Sequence, residues 1–310
     1  MDKSIIERID STNHVPKEKL TLFPPFPTSV KVELTSRCNF KCLYCATNRS
    51  SRQKGDMDWG FFKKLIIDLK HIGIEEVGLF LLGESFILNN IDRYIRFCKD
   101  SGIKYVFITT NGSLCTPTKL KNCINAGLDS IKFSVNAHNK ELYKKLHCVD
   151  KFDDVIENIK WLYEYKKKRK LVLPRTCISS IVLPGNEKES ELFKQEMQKY
   201  VDEFYFLPPY NQAGHIPGFS GKIVGNPGRL ENMVPPVPCW ALFNAAKVTW
   251  DGKLTACCFD HDSRFEIADL NNTSLEDAWS NSKFVSLRMR HLKNELKDSL
   301  CSKCLGLSNE

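Results

Sequence analysis

Three cysteines within eight residues, Cys38, Cys42 and Cys45, place the strongest constraint on this chain. They follow directly on an apolar stretch, Val30 to Leu34, in a C-x3-C-x2-C spacing. Soft thiolates select iron–sulfur clusters, zinc or Cu(I). A structural zinc site or a closed [4Fe–4S] site takes four protein ligands, and no His or fourth Cys lies nearby in the sequence. The spacing therefore favours a cluster that keeps one iron open to a ligand from outside the protein, which is a catalytic arrangement.

This motif after a first strand resembles the signature of the radical S-adenosylmethionine (SAM) superfamily. The resemblance implies that the open iron binds the amino and carboxylate groups of SAM. The reduced cluster then cleaves SAM to a 5′-deoxyadenosyl radical, which abstracts a hydrogen atom from the substrate. The resemblance also implies a flavodoxin- or ferredoxin-type electron donor. A zinc site completed from a distant part of the chain is the alternative interpretation.

Composition and charge exclude several other classes of protein. The N-terminus is too polar for a signal peptide, and no apolar run approaches the roughly 18 residues of a membrane span. We therefore expect a cytoplasmic protein, in which thirteen cysteines favour metal binding over disulfides. Much of the net charge of +8 lies in 166–170, at the end of a predicted helix, where cations complement the helix dipole. No nucleic-acid motif accompanies it, so we predict neither a nucleic-acid nor a membrane partner.

Short β-rich runs alternate with helical patterns from Ser29 onward, which indicates βαβ units and a parallel sheet. The predicted strands are 29–35, 75–82, 104–110, 129–135, 172–183 and 202–207. The predicted helices are 59–72, 90–101, 116–126, 139–167 with a break near 148–151, and 186–200. Periodicity alone also allows a doubly wound sheet, whereas the resemblance implies an α/β fold with a partial (β/α)6 TIM-like barrel. The predicted domains are a lead-in (1–28), the barrel (29–207), a Pro- and Gly-rich linker or active-site loop (208–238) and a C-terminal cluster domain (239–310).

Parallel α/β folds place their chemistry at the carboxyl ends of the strands. Glu84 follows strand two in a partial match to the family's Gly-Gly-Glu-Pro motif, and Asn111 follows strand three. Ser134 and Asn136 lie on the polar face of strand four. The resemblance implies that these four residues bind SAM. The residues themselves also allow turns and a hydrogen-bonded core network as the alternative.

Strands five and six are expected to face the substrate in this superfamily. Arg175, Tyr210 and His215 are the candidates there.

A second cysteine set follows the linker: Cys239, Cys257, Cys301 and Cys304. Asp251-Gly252 predicts a type I′ hairpin between strands 245–250 and 253–258, which brings Cys257 back towards Cys239. A capping-box-like start predicts a helix over 275–292, which returns the chain to the terminal C-x2-C. This spacing resembles the twitch extension, the short form of the SPASM domain, and implies an auxiliary [4Fe–4S] cluster. Zinc remains the alternative on thiolate chemistry alone.

Cys258 adjoins Cys257, and neighbouring strand residues point to opposite faces, so we expect only one of them to bind the cluster. The Gly-x4-Cys spacing assigns Cys257 and leaves Cys258 as a candidate catalytic thiol that returns a hydrogen atom to a substrate radical. The resulting hypothesis is a radical SAM enzyme acting on a sugar, aminocyclitol or aminoglycoside. Dehydrogenation with electron transfer to the auxiliary cluster competes with redox-neutral epimerisation. The alternatives are a peptide substrate and, from a different class, a zinc-stapled module without catalysis.

Overall fold

A computed structural model describes residues 3–216, 225–226 and 228–307 of the protein. Six parallel strands form the core of the fold, and each pairs with the next in chain order. They are β1 (Ser29–Val32), β2 (Glu76–Gly78), β3 (Tyr105–Thr110), β4 (Ser130–Ser134), β5 (Arg175–Ile181) and β6 (Glu203–Leu207). In a doubly wound sheet the strand order reverses at a switch point, whereas these six strands follow one another in unbroken chain order from β1 to β6. The predicted α/β partial barrel is therefore confirmed.

The helices connect these strands as the periodicity predicts. They are α2 (Trp59–His71), α3 (Ile91–Asp100), α4 (Pro117–Asn125), α5 (Lys140–His147), α6 (Phe152–Arg169) and α7 (Glu187–Met197). In α2 the Asp58 carboxylate caps the first turn by accepting from the Phe61 N–H. The apolar stripe of the same helix is buried at Phe62, Leu65, Ile66 and Leu69. The predicted break between α5 and α6 is present, and Cys148 ends α5 in a left-handed conformation.

The N-terminal lead-in forms a helix, α1 (Ile5–Asn13), which packs across the end of the barrel where the strands begin. The Glu203 carboxylate accepts hydrogen bonds from the backbone N–H groups of Ile5 and Ile6 at 2.8 and 2.7 Å. A carboxylate at a helix N-terminus also complements the helix dipole. Helix α1 therefore closes the barrel opposite the cysteine loop.

The C-terminal segment extends the barrel sheet. Strand β7 (Ala246–Val248) pairs parallel with β1, and β8 (Lys253–Thr255) and β9 (Glu266–Asp269) follow antiparallel. The sequence predicted β7 and β8, each somewhat longer, but neither β9 nor the pairing of β7 with β1. The sheet therefore has nine strands, in the order β6-β5-β4-β3-β2-β1-β7-β8-β9.

Two local predictions in this segment are wrong. A type I′ turn needs positive φ at both central residues, but of Asp251 and Gly252 only Gly252 has it. The hairpin uses a longer loop, in which the Gly252 N–H donates to the Thr249 carbonyl. The predicted helix 275–292 is two helices, α8 (Leu275–Trp279) and α9 (Ser282–Leu292), because the Asn281 side chain caps a new start.

The Pro- and Gly-rich segment is described only in part. Residues 217–224 and 227, which include Gly218 and Gly221, lie outside the described residues. Within the described ranges, no helix is both long and apolar enough to cross a bilayer.

Candidate active site

The three-cysteine loop follows β1 and is fixed against helix α5. The Leu43 N–H donates to the Leu146 carbonyl at 2.9 Å, and the Cys42 sulfur lies 3.5 Å from His147 Nδ1. Burial raises the pKa of Cys38 to about 12 and raises that of Cys42 still further. The proximity of Cys45 raises both pKa values as well. Thiols crowded in this way become thiolates when a metal supplies positive charge, so the loop fits an iron–sulfur cluster.

A buried polar network supports the loop. The Asn136 amide donates to the Tyr44 hydroxyl at 2.7 Å, and the same hydroxyl lies 3.0 Å from His147 Nδ1. The Asn136 carbonyl oxygen accepts from the Ile181 N–H at 3.1 Å. The Asn136 side chain is therefore held by protein groups, as the core-network alternative expected. Ser134, two residues earlier on the same face, remains partly accessible.

The Glu84 carboxylate is enclosed by three protein donors. Oε1 accepts from the Phe86 N–H at 3.0 Å and from the Thr110 hydroxyl at 2.8 Å. Oε2 accepts from the Asn111 N–H at 2.7 Å. Burial raises the pKa of Glu84, and these donors oppose the rise. The side chain joins the turn after β2 to the end of β3, so any role in binding SAM amino groups would fall to the neighbouring backbone.

Two further contacts bring the strand-end turns to the cysteine loop. The Asn111 amide donates to the Asn39 carbonyl oxygen at 3.0 Å, directly beside Cys38. At Gly83 an ideal Cβ would stand 2.1 Å from the Thr35 carbonyl oxygen, so only glycine fits there. The predicted SAM-side turns therefore lie around the cysteine loop.

The second cysteine set converges on one small cavity of about 30 Å³, lined by Cys239, Cys257, Cys301 and Cys304. Buried His291 lies beside it, with Nε2 3.4 Å from the Cys301 sulfur. The Phe259 N–H donates to the Cys257 sulfur at 3.3 Å, a contact of the kind that tunes iron–sulfur centres. Burial raises the pKa of Cys239 to about 11, and those of Cys301 and Cys304 to about 12. The cavity therefore offers four soft donors that a cluster would convert to thiolates.

No three His, Cys, Asp or Glu side chains in the described part of the chain are spaced to share a single metal ion.

A larger cavity of about 250 Å³ lies inside the barrel, between α1 and the carboxyl ends of the strands. Cys258 and Tyr210 line it, whereas Cys257 lines the four-thiol cavity. The Asn226 amide lies 3.0 Å from the Cys258 sulfur. The two adjacent cysteines therefore face different cavities, as the sequence predicted.

The other two substrate-side candidates lie elsewhere. Arg175 is the first residue of β5, and its guanidinium pairs with Glu203 at 3.3 Å near α1, away from the carboxyl end of its strand. His215 packs on His261 with ring centroids 5.2 Å apart and lies 3.7 Å from Asp262. Neither residue lines the barrel cavity.

Sequence reasoning also missed a link between the two cysteine regions. Gln212 Oε1 accepts from the Ala46 N–H at 3.1 Å and lies 3.1 Å from His261 Nε2. Gln212 has a φ of 48°, which no sequence pattern signals for this residue. His147 and His291 were likewise missed, because a histidine distant in the chain gives no sign that it will contact a cysteine.

Residues 32–194 match the radical SAM superfamily, and residues 239–305 match the SPASM iron–sulfur cluster-binding domain. The first match covers more than half of the chain. The chain belongs to the radical SAM superfamily. As a radical SAM enzyme with a SPASM domain, it uses SAM and two [4Fe–4S] clusters. The two cysteine sets lie within these two matched regions.

This radical SAM enzyme is similar in sequence to several other proteins. A GTP 3′,8-cyclase of Chlorobaculum tepidum is 32% identical in an alignment of 313 positions. This alignment covers 87% of this chain and 90% of the cyclase. An uncharacterized protein of Methanocaldococcus jannaschii is 29% identical over 207 residues, which cover 66% of this chain and 65% of that protein.

Solved structures establish the same fold. BtrN in complex with AdoMet and 2-DOIA superposes with a TM-score of 0.61 at 18% identity, covering 90% of this chain and 92% of BtrN. Streptococcus suis SuiB bound to its precursor peptide SuiA gives a TM-score of 0.70 at 14% identity, covering 91% of this chain and 76% of SuiB.

Proposed function

We propose that this radical SAM enzyme abstracts a hydrogen atom from a small polar molecule in the barrel cavity and completes a two-electron oxidation. The first cluster would be held by Cys38, Cys42 and Cys45. With SAM bound to it, this cluster would supply the 5′-deoxyadenosyl radical that abstracts the hydrogen atom. The cavity volume of about 250 Å³ lies just below the usual range of ligand pockets, which begins at roughly 300 Å³. A cavity of this size suits a sugar-sized molecule better than a peptide.

The observation that carries the proposal is a wall shared by the two cavities. Asn226 and Phe259 line both the barrel cavity and the four-thiol cavity. Hydrogen-atom abstraction takes one electron and one proton from a C–H bond. The substrate radical then loses a second electron, which passes across this wall to the auxiliary site, and a proton from the hydroxyl or amine on the same carbon. The product is a carbonyl or an imine. The auxiliary cluster, held by the four cysteines, would supply the electron acceptor.

The position of Cys258 favours epimerisation as a second candidate. Its thiol lines the barrel cavity and could return a hydrogen atom to the opposite face of the substrate carbon. The sulfur radical left behind would need one electron and one proton before the next turnover. A flavodoxin- or ferredoxin-type donor, the class we propose for the first cluster, could supply that electron.

The test of the enzyme class is anaerobic reconstitution followed by reaction with dithionite and SAM. We expect about eight irons per chain and formation of 5′-deoxyadenosine. Cys42→Ala should abolish the 5′-deoxyadenosine, whereas Cys148→Ala, at an exposed cysteine, should not. Bound zinc with SAM left intact would instead support the zinc-stapled module.

The two reaction outcomes separate in deuterated water. Epimerisation installs one deuterium at the reacting carbon, because the Cys258 S–H exchanges with solvent. Oxidation installs none and releases a product two hydrogens lighter. The substrates to test are neutral sugars, acidic sugars, aminocyclitols and aminoglycosides, each analysed by mass spectrometry.

A further inference from the structure

Two lysines, one on β1 and one on β4, project into the barrel cavity. Lys31 stands on β1 between Val30 and Val32, both fully buried on the other face. Lys132 stands on β4 and lines the same cavity. Because side chains alternate along a strand, the burial of the neighbouring residues fixes both lysines on the inner face.

Neither lysine has an acidic partner within the described residues. Lys132 Nζ donates to the Tyr205 hydroxyl at 2.9 Å. The Lys31 ammonium lies 5.6 Å from the ring centroid of Phe80 and 5.7 Å from that of Trp240. No carboxylate among the described residues lies within ion-pair distance of either Nζ. Aromatic faces and a phenol stabilise a buried cation less than an anion does.

The acids nearest the floor of the cavity are engaged with other groups. The Glu76 carboxylate forms an ion pair with Arg8. The Glu203 carboxylate caps α1 and pairs with Arg175. With those acids engaged, Lys31 and Lys132 are the basic side chains of the cavity lining that have no anionic partner within the described residues.

Two buried cations in one cavity are costly unless an anion joins them. Burial lowers the pKa of Lys31, and the positive charge of Lys132 lowers it further. Burial likewise lowers the pKa of Lys132. A bound anion would remove both effects, because opposite charges in a desolvated site favour the ionised forms.

We propose that the substrate carries an anionic group, a carboxylate or a phosphate, which binds between Lys31 and Lys132. This inference rests on the proposed function and narrows its substrate class. Cys258 lines the same cavity as both lysines, so the anion site and the cavity thiol lie within reach of one small molecule. A polycationic aminoglycoside would meet like charges here, so acidic or phosphorylated sugars fit better.

The test measures binding, without turnover, to the reconstituted protein with SAM. The probes are inorganic phosphate, acetate, glucose 6-phosphate, glucuronate, glucose and kanamycin, titrated by calorimetry. We expect an anionic sugar to bind at least about tenfold more tightly than glucose, and kanamycin to bind more weakly still. A preference for glucose 6-phosphate identifies a phosphate site, and a preference for glucuronate identifies a carboxylate site.

Variants locate the site. Lys31→Met and Lys132→Met should each weaken binding of the anionic sugar by about tenfold or more, because each removes a charge-assisted hydrogen bond. Lys188→Met, at an exposed position on α7, should bind it like the wild type. Circular dichroism and iron content verify folding, and Lys31→Gln replaces the Met variant if that variant does not fold.

Two results would overturn the proposal. One is equal binding of anionic, neutral and cationic sugars by the wild type, and the other is unchanged anion binding in the variants. Anion binding without any SAM-dependent product would leave the anion site standing and count against the oxidation. Oxidation of a neutral sugar by a protein that binds no anion would support the oxidation and count against the anion site.

Discussion

Cys257 and Cys258 are consecutive in the chain but face two different cavities, the first lined by four thiols and the second inside the barrel. The chain turns just after β8, so a single peptide unit separates a proposed cluster ligand from a proposed hydrogen donor. Substitution of each thiol should therefore have a different effect on the protein.

Cys257→Ser should lower the iron content by roughly four atoms per chain, because it removes one corner of the auxiliary site. Cys258→Ser should keep the full iron content and change only the outcome of the reaction, with loss of any deuterium incorporation. Iron and sulfide analysis with EPR spectroscopy distinguishes the two. Equal loss of iron in both variants would show that Cys258 also binds the cluster.

Gly83→Ala should destabilise the protein and disturb the first cluster, because the new Cβ would collide with the Thr35 and Arg37 carbonyl oxygens. We expect a loss of about 2–3 kcal/mol or more, since backbone atoms cannot move aside as side chains do. The control is Gly73→Ala, where φ is +86° but an added Cβ would meet no atom within 4 Å beyond its chain neighbours. Chemical denaturation and iron content measure both effects, and similar losses for the two variants would refute the collision.

Lys247 is fully buried, and its Nζ donates to the carbonyls of Ala241, Ala245 and Ala256. These carbonyls belong to the segments that carry Cys239 and Cys257. Lys247→Met should cost about 3 kcal/mol or more, because several buried acceptors lose their donor. It should also weaken iron retention at the auxiliary site.

The matched control for Lys247 is Lys253→Met on the neighbouring strand. Lys253 pairs with Asp269 at 2.7 Å in a partly exposed position, where ion pairs contribute about 1 kcal/mol or less. Denaturation curves for the two variants should therefore differ clearly. If Lys247→Met is as stable as the wild type, the three carbonyls have other partners.

His261 predicts a dependence of stability on pH. Burial lowers its pKa from 6.5 to about 3, with a further contribution from His215. Below about pH 6.5 the unfolded chain takes up a proton that the folded chain refuses until about pH 3. The contribution of His261 to the free energy of unfolding should thus fall with decreasing pH across this window, by at most about 1.4 kcal/mol per pH unit. Buried His147 and His291, whose pKa values are also lowered, should add to the slope.

His261→Gln should reduce that slope between about pH 4 and 6.5, whereas His71→Gln, at the exposed end of α2, should leave it unchanged. Denaturation at several pH values measures the slopes. An identical slope in wild type and His261→Gln would mean that the folded protein protonates this ring readily.

The positions of the six barrel strands and the two cysteine sets could be predicted because both are local patterns, whereas the order of the strands in the sheet followed from the resemblance to the radical SAM superfamily. Alternation along Ser29–Val32 and the spacing of the cysteines need only neighbouring residues. The same alternation indicates that Lys31, between Val30 and Val32, lies on the face of β1 opposite to these two valines. The alternation along strand four likewise places Lys132 on the polar face with Ser134 and Asn136.

Other features depend on contacts between distant residues. Pairing of β7 with β1 joins residues more than two hundred positions apart, and three-residue strands carry little periodicity. Arg175 was predicted to face the substrate because it lies in strand five, but the true start of β5 puts it beside Glu203. Asn136 is predicted to bind SAM, and no sequence pattern signals its hydrogen bonds to Tyr44 and Ile181, which lie 92 and 45 positions away.

The parallel pairing of β7 with β1 has a consequence for modularity. Without β7, the backbone N–H and C=O groups on that side of β1 would form an unpaired sheet edge, which invites aggregation. That edge would lie on the strand that leads directly into Cys38. The cluster domain at the C-terminus is therefore no detachable accessory, and a barrel cut off at residue 238 would lose the neighbour that protects its own first strand.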